Sequence, residues 1–120
     1  MKKILIAEDE PMLLKTLAYR IEKSGYQIIG AVDGLQAIEF FKIEKPDLVI
    51  TDILMPFATG LELTSHIRKN LNSTVPVIML TAVATENMIL DSFELGINDY
   101  VTKPFIPNEL MIRIQRLINL

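Results

Sequence analysis

Side chains capable of charge-dependent chemistry stand at the ends of four short apolar segments of this chain. Glu8 and Asp9 come directly after the first of these segments, and Asp52 follows another. Thr81 ends a third segment, and Lys103 stands just beyond the last. In open parallel sheets, ligands bind at the carboxyl ends of the strands. If the segments are neighbouring strands, the sequence predicts one cluster of acids, a hydroxyl and an ammonium group.

Such a cluster of carboxylates requires a counter-ion. Two like charges about 4 Å apart repel by roughly 4 kcal/mol at an effective dielectric constant near 20. Lys103 supplies one positive charge, and a hard divalent cation would supply the rest. Mg²⁺ prefers oxygen ligands and is commonly held by one or two carboxylates. We therefore expect Asp9 and Asp52 to bind Mg²⁺, with the backbone carbonyl of Leu54 as a further ligand.

Asp52 is also the candidate nucleophile, because a carboxylate can form an acyl phosphate. Phosphoryl transfer requires an in-line nucleophile and positive charge over the phosphoryl oxygens. Mg²⁺ and Lys103 would neutralise those oxygens, and the Thr81 hydroxyl could donate a hydrogen bond to one of them. The sequence thus predicts that Asp52 accepts a phosphoryl group.

The elements that must position these residues alternate along the chain. The apolar segments are too short for buried helices and are rich in Ile and Val, which favour strands. Segments with helical spacing lie between them, the first beginning near Pro11 and ending at Ser24-Gly25. Strands that alternate with helices predict a parallel sheet covered on both faces. The predicted strands are residues 4–7, 28–32, 48–51, 77–81 and 100–102. The later helices are predicted over residues 35–43, 61–71 and 86–95, and from just after Pro107 to the C-terminus.

Composition narrows the class of protein. The 120 residues fit one domain, and half of them are hydrophobic, which suffices for a core. The absence of cysteine excludes disulfides and thiolate chemistry. No apolar run is long enough to span a bilayer, so we expect no membrane contact and a cytoplasmic location. The net charge of -3 gives no indication that this domain binds nucleic acid directly.

These residues together resemble the receiver domain of two-component response regulators. The motifs that carry the resemblance are Glu8-Asp9, Asp52 before Met55-Pro56 and Gly60, Thr81-Ala82, and Lys103-Pro104-Phe105. Each motif alone is weak, but their order and spacing cover the whole chain. The resemblance implies one receiver domain over residues 1–120. It also implies an α/β fold of the flavodoxin-like kind, a three-layer doubly wound sandwich with five helices and parallel strands in the order 2-1-3-4-5.

The resemblance also assigns roles to single residues. Asp52 would be phosphorylated from a phosphohistidine of a sensor histidine kinase or phosphotransfer protein. Asp9 would bind Mg²⁺ directly and Glu8 through water. Thr81 and Tyr100 would form a switch pair, and the bond before Pro104 would be cis. The protein would then be a signalling domain and not a turnover enzyme.

Two positions depart from the pattern of many relatives. The side chains at Leu54 and Val83 are apolar, where many receivers carry polar groups that influence the attacking water. We therefore expect slow loss of the phosphoryl group. His66, the only histidine, lies on a predicted helix near Ser65, Arg68 and Lys69 and is interpreted as a solvated surface residue.

The last helix carries more apolar residues than one face needs. Either it packs deeply, or the last strand and last two helices form a surface for an output domain or a homodimer. Asp91 stands where dimerising relatives often have a basic residue, which argues against the usual two-fold dimer. The apolar residues are Leu110, Met111, Ile112, Ile114, Leu117, Ile118 and Leu120.

Three other functions fit less well. Phosphatases and phosphotransferases with an aspartyl-phosphate intermediate usually carry a second acid two residues after the nucleophile, and Leu54 occupies that position. Neither G-x-x-x-x-G-K-[ST] nor G-x-G-x-x-G is present to indicate a nucleotide site. A receiver-like module that never accepts phosphate would lack the acceptor or the metal-binding acids, whereas this chain retains them.

Overall fold

A computed structural model describes residues 1–118 and shows one sheet of five parallel strands. The strands lie in the order β2-β1-β3-β4-β5, which confirms the predicted flavodoxin-like topology. Their bounds agree with the sequence prediction to within one residue at each end. The strands are β1 (Lys3–Ala7), β2 (Gln27–Ala31), β3 (Leu48–Thr51), β4 (Val77–Thr81) and β5 (Asp99–Thr102).

Helices cover both faces of the sheet and make the three predicted layers. One apolar cluster joins the sheet to α1 and α5, and the other joins it to α2, α3 and α4. Strands β3 and β4 are buried along their whole length, which explains why they are apolar without alternation. The helices are α1 (Pro11–Lys23), α2 (Gly34–Glu44), α3 (Gly60–Ser65), α4 (Glu86–Leu95) and α5 (Pro107–Ile118).

Local capping residues set several helix ends. The Asp33 side chain accepts a hydrogen bond from the Gln36 N–H at the start of α2. Thr59 and Glu62 form a reciprocal capping box at the start of α3. Gly96 ends α4 with a φ of 104°, a left-handed conformation that glycine adopts without a steric cost.

The third helix differs from the prediction of one regular helix over residues 61–71. It is α-helical only as far as Ser65 and continues as a π-helix over His66–Asn70. Helical spacing in the sequence does not distinguish α-helical from π-helical hydrogen bonding. His66 is half-buried and its Nε2 is buried, so its interpretation as a solvated residue was wrong.

The described part of the last helix packs deeply on one face. Leu110, Met111, Ile114 and Ile118 are buried against the sheet and α1, whereas Ile112 is 57% exposed. Much of the apolar excess therefore belongs to the core. The predicted extension of the helix to Leu120 lies outside the described residues. Among the residues from 1 to 118, no helix has the length and apolar character to cross a bilayer.

Candidate functional site

The register of β1 and β3 brings three carboxylates together. These strands are neighbours, and Ala7 pairs with Thr51, so the residues that follow both strands emerge side by side. Glu8, Asp9 and Asp52 each place a carboxylate oxygen within 4.8 Å of the others. Glu8 is 2% exposed and Asp52 is 9% exposed, whereas Asp9 is exposed to solvent.

Lys103 reaches this cluster from the far side of β4. Its Nζ lies 2.7 Å from Glu8 Oε1 and 2.9 Å from Asp52 Oδ2. The Lys103–Pro104 peptide bond is cis, and the Lys103 N–H donates to the Thr81 carbonyl at 2.9 Å. The ammonium group thus lies between two buried carboxylates that are 95 and 51 residues away in the sequence.

Backbone groups hold the Asp52 carboxylate from the opposite side. Its Oδ1 accepts hydrogen bonds from the Ile53 N–H at 2.7 Å and, more weakly, from the Leu54 N–H at 3.4 Å. Its Oδ2 is left to Lys103. The Leu54 side chain is 59% exposed beside the site. One carboxylate oxygen therefore orients the group, and the other faces the positive charge.

Gly60 allows the chain to close tightly around Asp52. The Gly60 N–H donates to the Ile53 carbonyl at 2.8 Å. A Cβ at Gly60 would lie 2.1 Å from the Asp52 carbonyl oxygen and 3.0 Å from Met79 Sδ. Residue 60 must therefore lack a side chain for the loop after β3 to adopt this course.

Thr81 and Tyr100 are linked through the backbone of Val83, which the sequence had indicated only as an apolar side chain beside the site. Thr81 is 1% exposed, and its Oγ1 accepts from the Val83 N–H at 3.3 Å. The Tyr100 hydroxyl donates to the Val83 carbonyl. Both side chains thus hold the same peptide segment between β4 and α4. No sequence signal marks Val83 for this role, because its backbone makes both contacts.

Burial and Lys103 act in opposite directions on the pKa of Glu8. Burial raises the pKa of Glu8 above its ordinary value of 4.5, despite the lowering effect of the hydrogen bonds from Lys103 and from the Glu10 N–H. For Lys103, burial lowers the pKa, but hydrogen bonds to Glu8 and Asp52 outweigh it and the net shift is upward. Burial, and secondarily the Asp52 charge, raises the pKa of Tyr100.

The donor set fits a magnesium ion. Three carboxylates within 4.8 Å of one another provide the oxygen ligands that Mg²⁺ prefers. The exposure of Asp9 leaves one side open to water, which Mg²⁺ retains in most protein sites. Glu10 stands apart from this set: its side chain is exposed, and its backbone begins α1.

Glu8→Gln is expected to weaken Mg²⁺ binding about tenfold, as is typical when an outer ligand partner is lost. Because the pKa of Glu8 is raised in the folded state, the folded protein binds this proton more tightly than the unfolded chain does. The free energy of unfolding should therefore fall as the pH rises from the ordinary value of 4.5 through the raised pKa. Glu8→Gln should remove that decline.

Calorimetric titration with MgCl₂ measures the first effect, and denaturation between about pH 4 and pH 7 without Mg²⁺ measures the second. Glu10→Gln, which removes an exposed neighbouring carboxyl, is the matched control and should change neither quantity. An unchanged pH dependence in Glu8→Gln would show that burial of Glu8 does not control stability.

A family profile, related sequences and solved structures all match this chain to response regulators. Residues 4–115 match the profile of the response regulator receiver domain. The chain is 38% identical over 117 residues to the alkaline phosphatase synthesis transcriptional regulatory protein PhoP of Bacillus subtilis, covering 98% of this chain and 48% of that protein. It is 43% identical to the probable transcriptional regulator ycf27 of Guillardia theta, covering 98% and 45%. The chain therefore spans about half the length of these relatives.

Solved structures agree with this result. The receiver domain of the Francisella response regulator 1452 superposes with a TM-score of 0.92 at 29% identity, covering 99% of this chain and 98% of that one. The non-phosphorylated HemR receiver domain of Leptospira biflexa gives a TM-score of 0.92 at 33% identity, covering 100% and 96%.

Proposed function

The chain belongs to the response regulator receiver domain family, and from this premise we propose that residues 1–120 form one receiver domain phosphorylated on Asp52. The observation that carries the proposal is the position of the Lys103 ammonium, 2.7 Å from Glu8 and 2.9 Å from Asp52. A phosphoryl group added to a buried carboxylate brings negative charge into the site. A cation that is already fixed beside the carboxylate compensates that charge.

The donor in this proposal is a phosphohistidine of a sensor kinase or phosphotransfer protein. The phosphorus–nitrogen bond of the donor breaks as an Asp52 oxygen bonds to phosphorus, and the released imidazole takes up a proton. Lys103 compensates charge on the phosphoryl oxygens, and the Thr81 hydroxyl, whose oxygen accepts from Val83, keeps its proton free to donate. The backbone N–H groups of Ile53 and Leu54 hold the carboxylate in place.

Glu8, Asp9 and Asp52 would hold Mg²⁺, with the Leu54 carbonyl as the further ligand proposed from the sequence. When bound, the ion supplies positive charge next to the transferred group. Glu8 orients Lys103 at the same time, because its Oε1 accepts from the ammonium group.

The test is incubation of the protein with acetyl phosphate or phosphoramidate and MgCl₂, followed by intact mass spectrometry. One added phosphoryl group is expected on the native chain, and none on Asp52→Asn or when EDTA replaces Mg²⁺. Addition to Asp52→Asn would place the acceptor elsewhere. Continuous hydrolysis of the donor at enzyme-like rates would favour a phosphatase instead.

The phosphoryl group is expected to be long-lived, because the exposed Leu54 side chain offers no hydrogen bond to an attacking water. Leu54→Asn should shorten the lifetime of phosphorylated Asp52 about tenfold, equivalent to one hydrogen bond of about 1.4 kcal/mol in the transition state. Loss of the added mass after removal of the donor gives the lifetime. Leu54→Met is the apolar control, and an unchanged lifetime in Leu54→Asn would refute the explanation.

Signalling in this proposal begins at Val83. The Thr81 and Tyr100 hydroxyls both bond its peptide groups, so a phosphoryl group that recruits Thr81 would weaken one of two linked contacts. Helix α4, which follows this segment, is poorly anchored, since Ser92 is its only buried residue. Phosphorylation is therefore expected to shift the amide NMR signals of Val83 and Tyr100.

The proposed output surface comprises α4, β5 and α5. Leu90, Phe93 and Ile112 are exposed there, between 46% and 57%. Arg113 already binds Asp99 and Glu109 of its own chain, each at 2.8 Å, so these charges are not free for a dimer in this state. An output domain is the partner we favour, because the matched relatives are described as transcriptional regulators and extend beyond the matched region. A cytoplasmic location follows from the proposed kinase partner.

A further inference from the structure

A groove lies at the opposite edge of the sheet from the acid cluster, beside the amino-terminal ends of β3 and β4. Its volume is about 390 Å³, within the range of pockets that hold ligands. The end of α2 forms one wall, and the segment that leads into β4 forms the other. The lining residues are Phe41, Lys42, Lys45, Pro46, Leu71, Ser73 and Val75.

The floor of the groove is apolar. Phe41 and Pro46 are buried, and Leu71 and Val75 are half-buried. An occupant that buried an apolar group here would gain about 25 cal/mol for each Å² removed from water. The groove is therefore suited to a bulky apolar side chain.

The rim is basic. Lys42 and Lys45 are both exposed, and neither forms an ion pair within residues 1–118. No acid lines the groove, and Glu44, which lies between the two lysines in sequence, is 3.5 Å from Lys3. The helix dipole alone would favour lysines near the C-terminal end of α2. It does not explain the open apolar floor beside them.

One wall is held rigid by Arg68 in the π-helix. Its guanidinium group donates to the carbonyls of Ser73 at 3.0 Å and Val75 at 2.7 Å, and also to the Gly96 carbonyl. These are neutral acceptors, so the guanidinium charge adds to the positive potential of the groove. A preformed wall also spares an occupant the cost of ordering this segment.

We propose that this groove binds an acidic peptide segment that carries a bulky apolar side chain. The apolar side chain packs on Phe41, Leu71 and Val75, and flanking carboxylates pair with Lys42 and Lys45. Charge complementarity selects this occupant, because the two lysines have no acidic partner within residues 1–118. The groove is separate from Asp52, since β3 intervenes with four residues, about 13 Å of strand.

The probe is the synthetic peptide acetyl-Glu-Glu-Leu-Phe-Glu-Glu-amide, titrated into the ¹⁵N-labelled protein. We expect shifts centred on the amide signals of Phe41, Lys45, Leu71 and Val75. A peptide with lysine in place of glutamate tests the charge requirement, and one with glycine in place of Leu-Phe tests the apolar requirement. Each should bind about tenfold more weakly than the first peptide.

The variant is Lys42→Glu combined with Lys45→Glu, which should weaken binding of the acidic peptide about tenfold or more. Lys15→Glu combined with Lys23→Glu reverses two exposed lysines of α1, on the other face of the sheet, and should leave the affinity unchanged. Absence of shifts in the groove, or equal binding of the lysine peptide, would overturn the proposal. Binding of sodium octanoate as tightly as the peptide would also overturn it and indicate a site for small amphiphilic acids. None of these outcomes depends on phosphorylation of Asp52.

Discussion

Lys103→Gln is expected to slow phosphorylation of Asp52 by acetyl phosphate about a hundredfold, the usual effect of losing one electrostatic partner of a transition state. Lys103 is the cation that contacts both Glu8 and Asp52 among the described residues. Gln is one bond shorter than Lys; it keeps a donor group but removes the charge. The rate is obtained from the time course of phosphoryl incorporation, measured by intact mass spectrometry at several concentrations of acetyl phosphate.

The same substitution should lower the free energy of unfolding by about 2 kcal/mol without Mg²⁺. Breaking a buried ion pair commonly costs about 3–5 kcal/mol, and protonation of Glu8 offsets part of that cost, because its pKa is already raised. Added Mg²⁺ should restore stability more in the variant than in the native chain, since the ion replaces the missing charge. Thermal unfolding with and without MgCl₂ measures this difference.

Lys15→Gln provides the control, because Lys15 is exposed on α1 and forms no ion pair within residues 1–118. Adding Asp52→Asn to Lys103→Gln should recover part of the lost stability, since one unpaired carboxylate is removed. A phosphorylation rate within about twofold of the native value would show that Lys103 does not support the transfer.

Gly60→Ala is expected to destabilise the fold by about 3 kcal/mol, at the upper end of the usual cost of overpacking. The added Cβ would lie 2.1 Å from the Asp52 carbonyl oxygen, and a backbone atom cannot move aside as a flexible side chain can. The loop must shift, and Asp52 would shift with it. Phosphorylation and Mg²⁺ affinity should therefore fall together with stability.

Gly30→Ala is the matched control within the sheet. A Cβ there would meet the Leu14 side chain at 3.4 Å, which is ordinary contact with a side chain that can adjust. Its unfolding free energy should remain within about 1 kcal/mol of the native value. Urea denaturation of both variants gives their free energies of unfolding. Equal values would contradict the close approach of residue 60 to the Asp52 carbonyl oxygen.

The sequence by itself determined the strands and the order of the functional residues along the chain. Buried parallel strands need continuous apolar segments, so residues 48–51 and 77–81 were identifiable without any tertiary information. Because ligands bind at the carboxyl ends of such strands, Glu8, Asp9 and Asp52 could be grouped before their distances were known.

Only the tertiary structure decided how these residues share the site. Glu8 is buried and bonded to Lys103, whereas Asp9, the next residue in the sequence, is exposed to solvent. Lys103 lies between two acids because the sheet order places β5 two strands from β3. The contacts at Val83 are made by backbone atoms, and the π-helix that contains Arg68 depends on hydrogen bonding that side-chain spacing does not encode. Long-range register and packing set these features, and local sequence patterns carry no record of them.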